Sequence, residues 1–315
     1  MEAFISNIVF SKNRALQLDG YLASLYRYFP PEYIQTYILY QQQLFDEQYQ
    51  QVFSEYSDCK VVKEEDFFSD FLNIINKVNT KYILFGVDDI VYFDSVDFEV
   101  IDKTFDAFKA DIFGFSLRFS YEYIQKSGDI ITETHVDGQK LYSIDWTVGE
   151  TPTTRYPFEL CATIYKTELV KNIIYNVQNH NHVIRKFFSP RSYCINMLKG
   201  TKLKHKILKK FGFFYAPNPL ESWLCKWCQQ NSALLPKKLF FKKTCASAIQ
   251  VNMVNVTTRD EGDKTSEFSV KRLAEKFVKG YRFDIDFLFE NKPTETHSGP
   301  EYFKLINNRK NGKYT

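Results

Sequence analysis

Across its 315 residues the chain has no run approaching 18 uninterrupted apolar residues, so no segment reads as a membrane span. The stretch Met1 to Phe10 carries the acidic Glu2 and no long apolar core, so a secretory signal is not expected. Six cysteines (59, 161, 194, 225, 228 and 245) then read as reduced thiols rather than a disulfide framework. Cys225 and Cys228 form a lone CxxC with no second pair or nearby histidine, and this spacing is that of one helix face rather than a zinc site. There is no internal repeat. Glycine is missing from the loop Ser11-Lys12-Asn13-Arg14 that follows the first apolar segment, which excludes both a dinucleotide fingerprint and a Walker loop.

What is present is a globular composition, 44% hydrophobic and 25% charged, with 21 Tyr and 30 Phe. Apolar runs at 5–10, 33–40, 59–62, 82–87, 112–117 and 161–165 alternate with helical periodicity at 18–29, 41–56, 64–78, 98–108 and 167–178. That β-α alternation predicts an α/β fold with a doubly wound, mostly parallel sheet. Residues 120–150 read as hairpins or loops, 247–256 as a late strand, and 268–278 as an amphipathic helix capped by Gly280.

The net charge of +3 conceals an asymmetry. Between Leu169 and Arg259 stand 16 Lys/Arg and one acid, Glu221; elsewhere 25 basic residues face 37 acidic ones. Such a basic island calls for a polyanionic neighbour. Segments 199–215 and 234–243 interleave lysines with Leu, Ile and Phe, a pattern suited to peripheral contact with an anionic membrane. No RNA-binding signature accompanies the charge, so no nucleic acid is expected as partner. His180 and His182 sit in a polar loop and read as surface residues.

The sharpest chemical signal is the apolar run Tyr82 to Val87 ending in Asp88 and Asp89. Carboxylates at the tip of a buried strand lie where open α/β sheets bind ligands. Two adjacent aspartates there repel unless a cation or proton sits between them, and a divalent ion shared with substrate phosphates is the usual solution. Ser11, Asn13 and Arg14, beside a helix N-terminus, offer hydroxyl, amide and guanidinium groups to an anionic nucleotide.

Together, the strand ending in Phe10-Ser11-Lys12-Asn13-Arg14, the helix after it and the Tyr82–Asp89 segment resemble the GT-A nucleotide-sugar glycosyltransferases. The likeness is nearest to family-2-like bacterial enzymes of surface-polysaccharide assembly, and it covers roughly residues 4–120. The resemblance implies that Asp88 and Asp89 take the DxD role and bind Mn²⁺ or Mg²⁺, here as an adjacent pair. It implies that His297 returns to the metal as a third ligand. Asp66 would contact the nucleobase or ribose, and Arg118 the donor phosphate or sugar. Inverting transfer needs a general base, and Glu221 stands where such enzymes carry theirs, although the usual acidic doublet is absent. Asp145 and Glu159 are alternative bases, and Trp146 is a candidate sugar-stacking surface.

The expected organisation is a nucleotide-sugar-binding half at 1–120 and an acceptor half at 121–260 with a basic, largely helical insertion at 185–245. A C-terminal helix and tail at 261–315 pack back on the domain. The expected activity is metal-dependent, inverting transfer from a nucleotide-diphosphate sugar to a glycan or lipid-linked glycan, in the cytoplasm and peripheral to the inner membrane face. A sugar-nucleotide nucleotidyltransferase is the enzymatic alternative, but its glycine-rich first loop has no counterpart at Ser11–Gln17. A non-catalytic membrane- or nucleic-acid-binding protein using the basic island is the other.

Overall fold

The computed structural model describes residues 3–42, 45–109, 111–178, 180–198, 201–231, 235–252, 254 and 267–307. In chain order the strands are β1 (Ile5–Lys12), β2 (Ile34–Gln41), β3 (Lys60–Lys63), β4 (Tyr82–Val87), β5 (Ile90–Tyr92), β6 (Ile112–Ser116) and β7 (Thr132–Val136). They continue as β8 (Gln139–Asp145), β9 (Thr163–Lys166), β10 (Lys237–Phe240), β11 (Ala246–Ile249), β12 (Tyr281–Phe283), β13 (His297–Ser298) and β14 (Leu305–Asn307). The helices are α1 (Ala15–Tyr28), α2 (Asp46–Glu55), α3 (Phe67–Lys77), α4 (Phe98–Ala107), α5 (Tyr121–Ser127) and α6 (Thr167–Val177). After them come α7 (His182–Phe188), α8 (Tyr193–Asn196), α9 (Thr201–Lys210), α10 (Pro217–Gln230), α11 (Val270–Val278) and α12 (Ile285–Glu290).

A nine-stranded sheet runs in the order β3-β2-β1-β4-β9-β6-β10-β8-β7. Its first four strands are mutually parallel, as the β-α alternation requires. Antiparallel β9 then enters between β4 and β6, and the β7–β8 hairpin closes the far edge. Side chains of β1 alternate across the sheet. Ile5 and Val9 pack with α1 and α4 on one face, while Ile8 and Phe10 pack with α3, α6 and α10 on the other. Both faces are covered, which explains why β1 and β4 are near-continuous apolar runs. Gly86 in β4 is held by a close approach: a Cβ there would lie 2.2 Å from the Tyr21 hydroxyl, which donates to Asn7 Oδ1 at 2.7 Å.

Two expectations change. The 185–245 region is not an insertion throughout, because β10 lies inside the main sheet between β6 and β8. Consequently 235–243 cannot present its apolar residues to a membrane: Leu239, Phe240 and Phe241 are buried and Lys238 has no exposed surface. Residues 199, 200 and 234 of the two basic segments lie outside the described residues. The late strand is β11, shorter than 247–256, and 253, 255 and 256 also lie outside the described residues.

Of the 261–315 segment, residues 261–266 and 308–315 lie outside the described residues. β13 pairs with β11, and Arg282 on β12 reaches the buried Asp19 of α1 and Glu55 of α2. All six cysteines are free; Cys225 and Cys228 are buried on α10, and Cys194 on α8 is exposed.

Candidate functional site

A cavity of about 520 Å³ opens at the carboxyl ends of β1, β2 and β4, lined among others by Lys12, Arg14, Asp88, Asp89, Glu221 and His297. The β1–α1 loop forms its floor. Asn13 takes a left-handed turn (φ 53°) and its backbone N–H donates to Gln41 O at 3.0 Å. Ser11 Oγ donates to Asp88 Oδ2 at 2.8 Å, and the Lys12 amide reaches the same oxygen at 3.2 Å. With the Ser11 proton so used, the buried Tyr49 hydroxyl donates to Ser11 Oγ at 2.7 Å and accepts from the Arg14 amide at 3.1 Å.

The two aspartates are not equivalent. Asp88 is buried; one oxygen is engaged by Ser11 and Lys12, and the other pairs with the Arg14 guanidinium. Burial pushes its carboxyl up, and so does Asp89, against the pull of Arg14 and Ser11. Asp89 is partly exposed to the cavity, and its contact with Arg14 Nη1 is long at 3.4 Å. Arg14 also donates to Asn252 O at 3.3 Å, which anchors it away from free rotation. His297 lines the same cavity; burial and Arg118 push its pKa down, so the ring is neutral and able to ligate. Among the described residues no group of three or more His, Cys, Asp or Glu is arranged as a ready-made metal cage. One accessible carboxylate and one neutral imidazole fit a divalent ion that completes its shell with substrate phosphates and water.

Another part of the lining comes from α10, whose first turn begins with Pro217 and whose second carries Glu221. Glu221 Oε1 accepts from the Leu160 amide at 2.8 Å. Burial pushes its pKa up to about 7, only partly opposed by that bond and by the more distant Arg118 and Lys238. Behind it lies a buried ionic cluster. Glu159 pairs with Arg118, and its Oε1 accepts from Lys238 Nζ at 2.7 Å and Thr163 Oγ1 at 2.6 Å. Burial alone would raise the Glu159 pKa; the two cations outweigh it and hold it at about 2. Arg118 Nη1 donates to Thr296 O at 3.2 Å and lies 3.5 Å from His297 Nε2, so that nitrogen can hold a metal only by giving up this contact.

A curated relative from Dictyostelium discoideum is named bifunctional glycosyltransferase pgtA. It is 24% identical over 191 residues, which are 53% of this chain and 24% of that protein, so the match spans about a quarter of the relative's length. No family model matches the chain. Among solved structures, Staphylococcus aureus TarS 1-349 in complex with UDP is 14% identical with a TM-score of 0.39, over 67% of this chain and 55% of that one. The galactosyltransferase LgtC, in complex with donor and acceptor sugar analogues, is 13% identical with a TM-score of 0.34, over 70% of each chain. The fold described above rests on its own sheet order.

The residues anticipated from sequence fall into two sets. Ser11, Arg14, Asp66, Asp88, Asp89, Glu221 and His297 all line the one cavity. Asp66 is also the N-cap of α3, accepting from the Ser69 amide at 3.0 Å. Asn13 shapes the loop, and Arg118 is committed to Glu159 and Thr296 rather than to the cavity. Asp145 is exposed, does not line the cavity, and closes a turn onto the Thr147 amide at 2.9 Å. Trp146 is a correction: it is buried against Phe113, its Nε1 donating to Leu235 O at 2.9 Å, so it offers no stacking face. Glu159 is likewise consumed by its two cations and is no free base. Sequence reasoning missed Tyr49, Glu64, Lys204, His205 and Tyr215. Glu64, on the strand-tip side of β3, was the recoverable one, since a carboxylate after a parallel strand lies at the ligand edge.

Proposed function

We propose that the cavity binds a nucleoside-diphosphate sugar and that the chain transfers the sugar to a hydroxyl acceptor, with inversion, as a nucleotide-sugar glycosyltransferase of the GT-A type. The observation that carries this is Glu221: a carboxyl lining the same cavity as Asp89, with its pKa pushed up by burial to about 7. A base of that strength is half-ionised at neutral pH and can take a hydroxyl proton as the bond forms. In the step, the acceptor oxygen attacks the anomeric carbon while the bond from that carbon to the phosphate oxygen breaks. The hydroxyl proton passes to Glu221, and the nucleoside diphosphate leaves with the electron pair. Lys12 lines the cavity and can meet the charge growing on the leaving diphosphate.

Asp89 and His297 would hold Mn²⁺ or Mg²⁺, which when bound supplies Lewis-acid stabilisation of the leaving group. Asp88 holds the first loop in place through Ser11, Lys12 and Arg14. The relative's name supports the reaction class.

The test is calorimetric titration of UDP, GDP, CDP and dTDP, with and without Mn²⁺. One diphosphate should bind in a Mn²⁺-dependent manner, and Asp89→Ala should weaken it by roughly 10–100-fold. A folded wild type that binds none of the four would end the donor-site reading.

A glycan or lipid-linked acceptor at a membrane surface is part of the same proposal. Helices α7 to α9 leave Val183, Phe187, Tyr193, Met197 and Leu203 exposed among Arg185, Lys186 and Lys202. Each cation near an anionic leaflet contributes about 1 kcal/mol. Cosedimentation with vesicles containing phosphatidylglycerol should be strong at low salt and drop in Leu203→Glu; no sedimentation with these vesicles at low salt would remove the membrane from the proposal.

A further inference from the structure

The basic helix α9 has a second face. Lys204, His205 and Leu208 turn into the cavity, while Lys202, Leu203, Lys206, Lys209 and Lys210 are exposed. His205 does not stand alone there. Its ring stacks on Tyr215, with centroids 4.0 Å apart and planes within 8°, and Tyr215 lines the cavity too. The same cavity has apolar lining in Leu39, Phe67 and Leu208 and polar lining in Gln41 and Glu64.

The order of groups fixes which part of a donor belongs here. The diphosphate end is set by Arg14, Asp88 and Asp89. Lys12 is the next step outward: its amide binds Asp88, and its ammonium lies close enough to Glu64 and His205 to shift both. Lys12 thus links the loop that holds Asp88 to Glu64 and His205, and Tyr215 follows through its stack on His205. A nucleobase requires what this end provides: a flat π surface, apolar walls and a few hydrogen-bonding groups at its edge. Burial and the nearby cations push the His205 pKa down, so the ring is an uncharged aromatic at neutral pH.

We propose that the stacked His205–Tyr215 pair, carried by α9 and the segment after it, is the nucleobase wall of the donor cavity. This rests on the donor-site reading above and adds to it a binding role for the basic island. Glu64, which shares the neighbour Lys12 with His205 and lines the same cavity, is the candidate for the edge of the base.

The experiment compares two ligands on wild type and three variants by calorimetry: the nucleoside diphosphate that wild type binds best, and inorganic pyrophosphate, which has no base. His205→Ala and Tyr215→Ala should each weaken the nucleoside diphosphate by roughly 10-fold, the loss typical of one stacking partner, and leave pyrophosphate affinity unchanged. His205→Phe, which keeps a ring, should retain nucleotide binding and guards against loss of folding in the alanine variants. Wild-type nucleotide affinity in folded His205→Ala and Tyr215→Ala would overturn the wall while sparing the donor site. Equal loss for both ligands would make α9 a phosphate-binding element and overturn the base-stacking role. Absence of nucleotide binding in wild type would sink both readings together.

Discussion

Glu221→Gln should lower the rate of sugar transfer by roughly 10²–10⁴-fold while leaving donor nucleotide affinity unchanged. The amide keeps the acceptor oxygen that the Leu160 N–H needs, so the α10 wall stays in place. It removes only the ability to take a proton. In wild type the base is active as the carboxylate, so kcat should rise with pH through about 7 and level off above it. In the variant that limb should vanish.

Stability should move the other way. An acid whose folded pKa is raised keeps its proton in the native state after the unfolded chain has lost it. Between about 4.5 and 7 the folded state therefore binds more protons, and stability falls as pH rises. Below that window the carboxyl is neutral in both states and contributes nothing. Glu221→Gln should accordingly be more stable than wild type at pH 8, by on the order of 3 kcal/mol, and equal to it near pH 4. Urea unfolding at the two pH values measures this. A variant that is inactive and also destabilised at pH 8 would make Glu221 a structural residue.

The second large effect concerns Glu159. Glu159→Gln leaves Arg118 and Lys238 buried without their shared anion, and breaking a buried pair from one side costs about 3–5 kcal/mol. Urea or thermal unfolding at neutral pH should show that loss. In wild type the sign of the pH dependence follows from a depressed carboxylate. The stabilisation is complete above about 4.5 and is lost as pH falls toward about 2. The variant should lack that acid-side loss. A readout beyond stability comes from the neighbouring base: Glu159 raises the Glu221 pKa, so removing its charge should shift the kcat limb to lower pH.

Much of the donor side was legible because it is local. Apolar runs of strand length ending in polar loops give β1, β2 and β4, and Asp88 and Asp89 follow one of them directly. The same logic puts the Ser11–Arg14 loop beside them, since β1 and β4 pair in parallel register. Other features depend on partners far away in sequence. Lys238 reads as a surface lysine in a basic run, yet it is buried because Glu159, 79 residues earlier, neutralises it. Trp146 follows an exposed aspartate, but the β8 register turns it into the core. Helix α9 has the periodicity of an amphipathic helix, and nothing in that period says that its inner face meets a cavity rather than a core.

The distribution of thiols has a practical meaning. Burial pushes up the pKa of Cys59, Cys225 and Cys245, and the Cys161 thiol likewise, so these four resist alkylation at neutral pH. Cys228 is buried as well, which leaves Cys194 as the exposed cysteine of the six. It stands on α8, one short connection before the helix that carries His205. The native chain thus supplies its own attachment point for a fluorophore, and the proposed capture of a nucleotide can be tested by light without first engineering a cysteine into the protein.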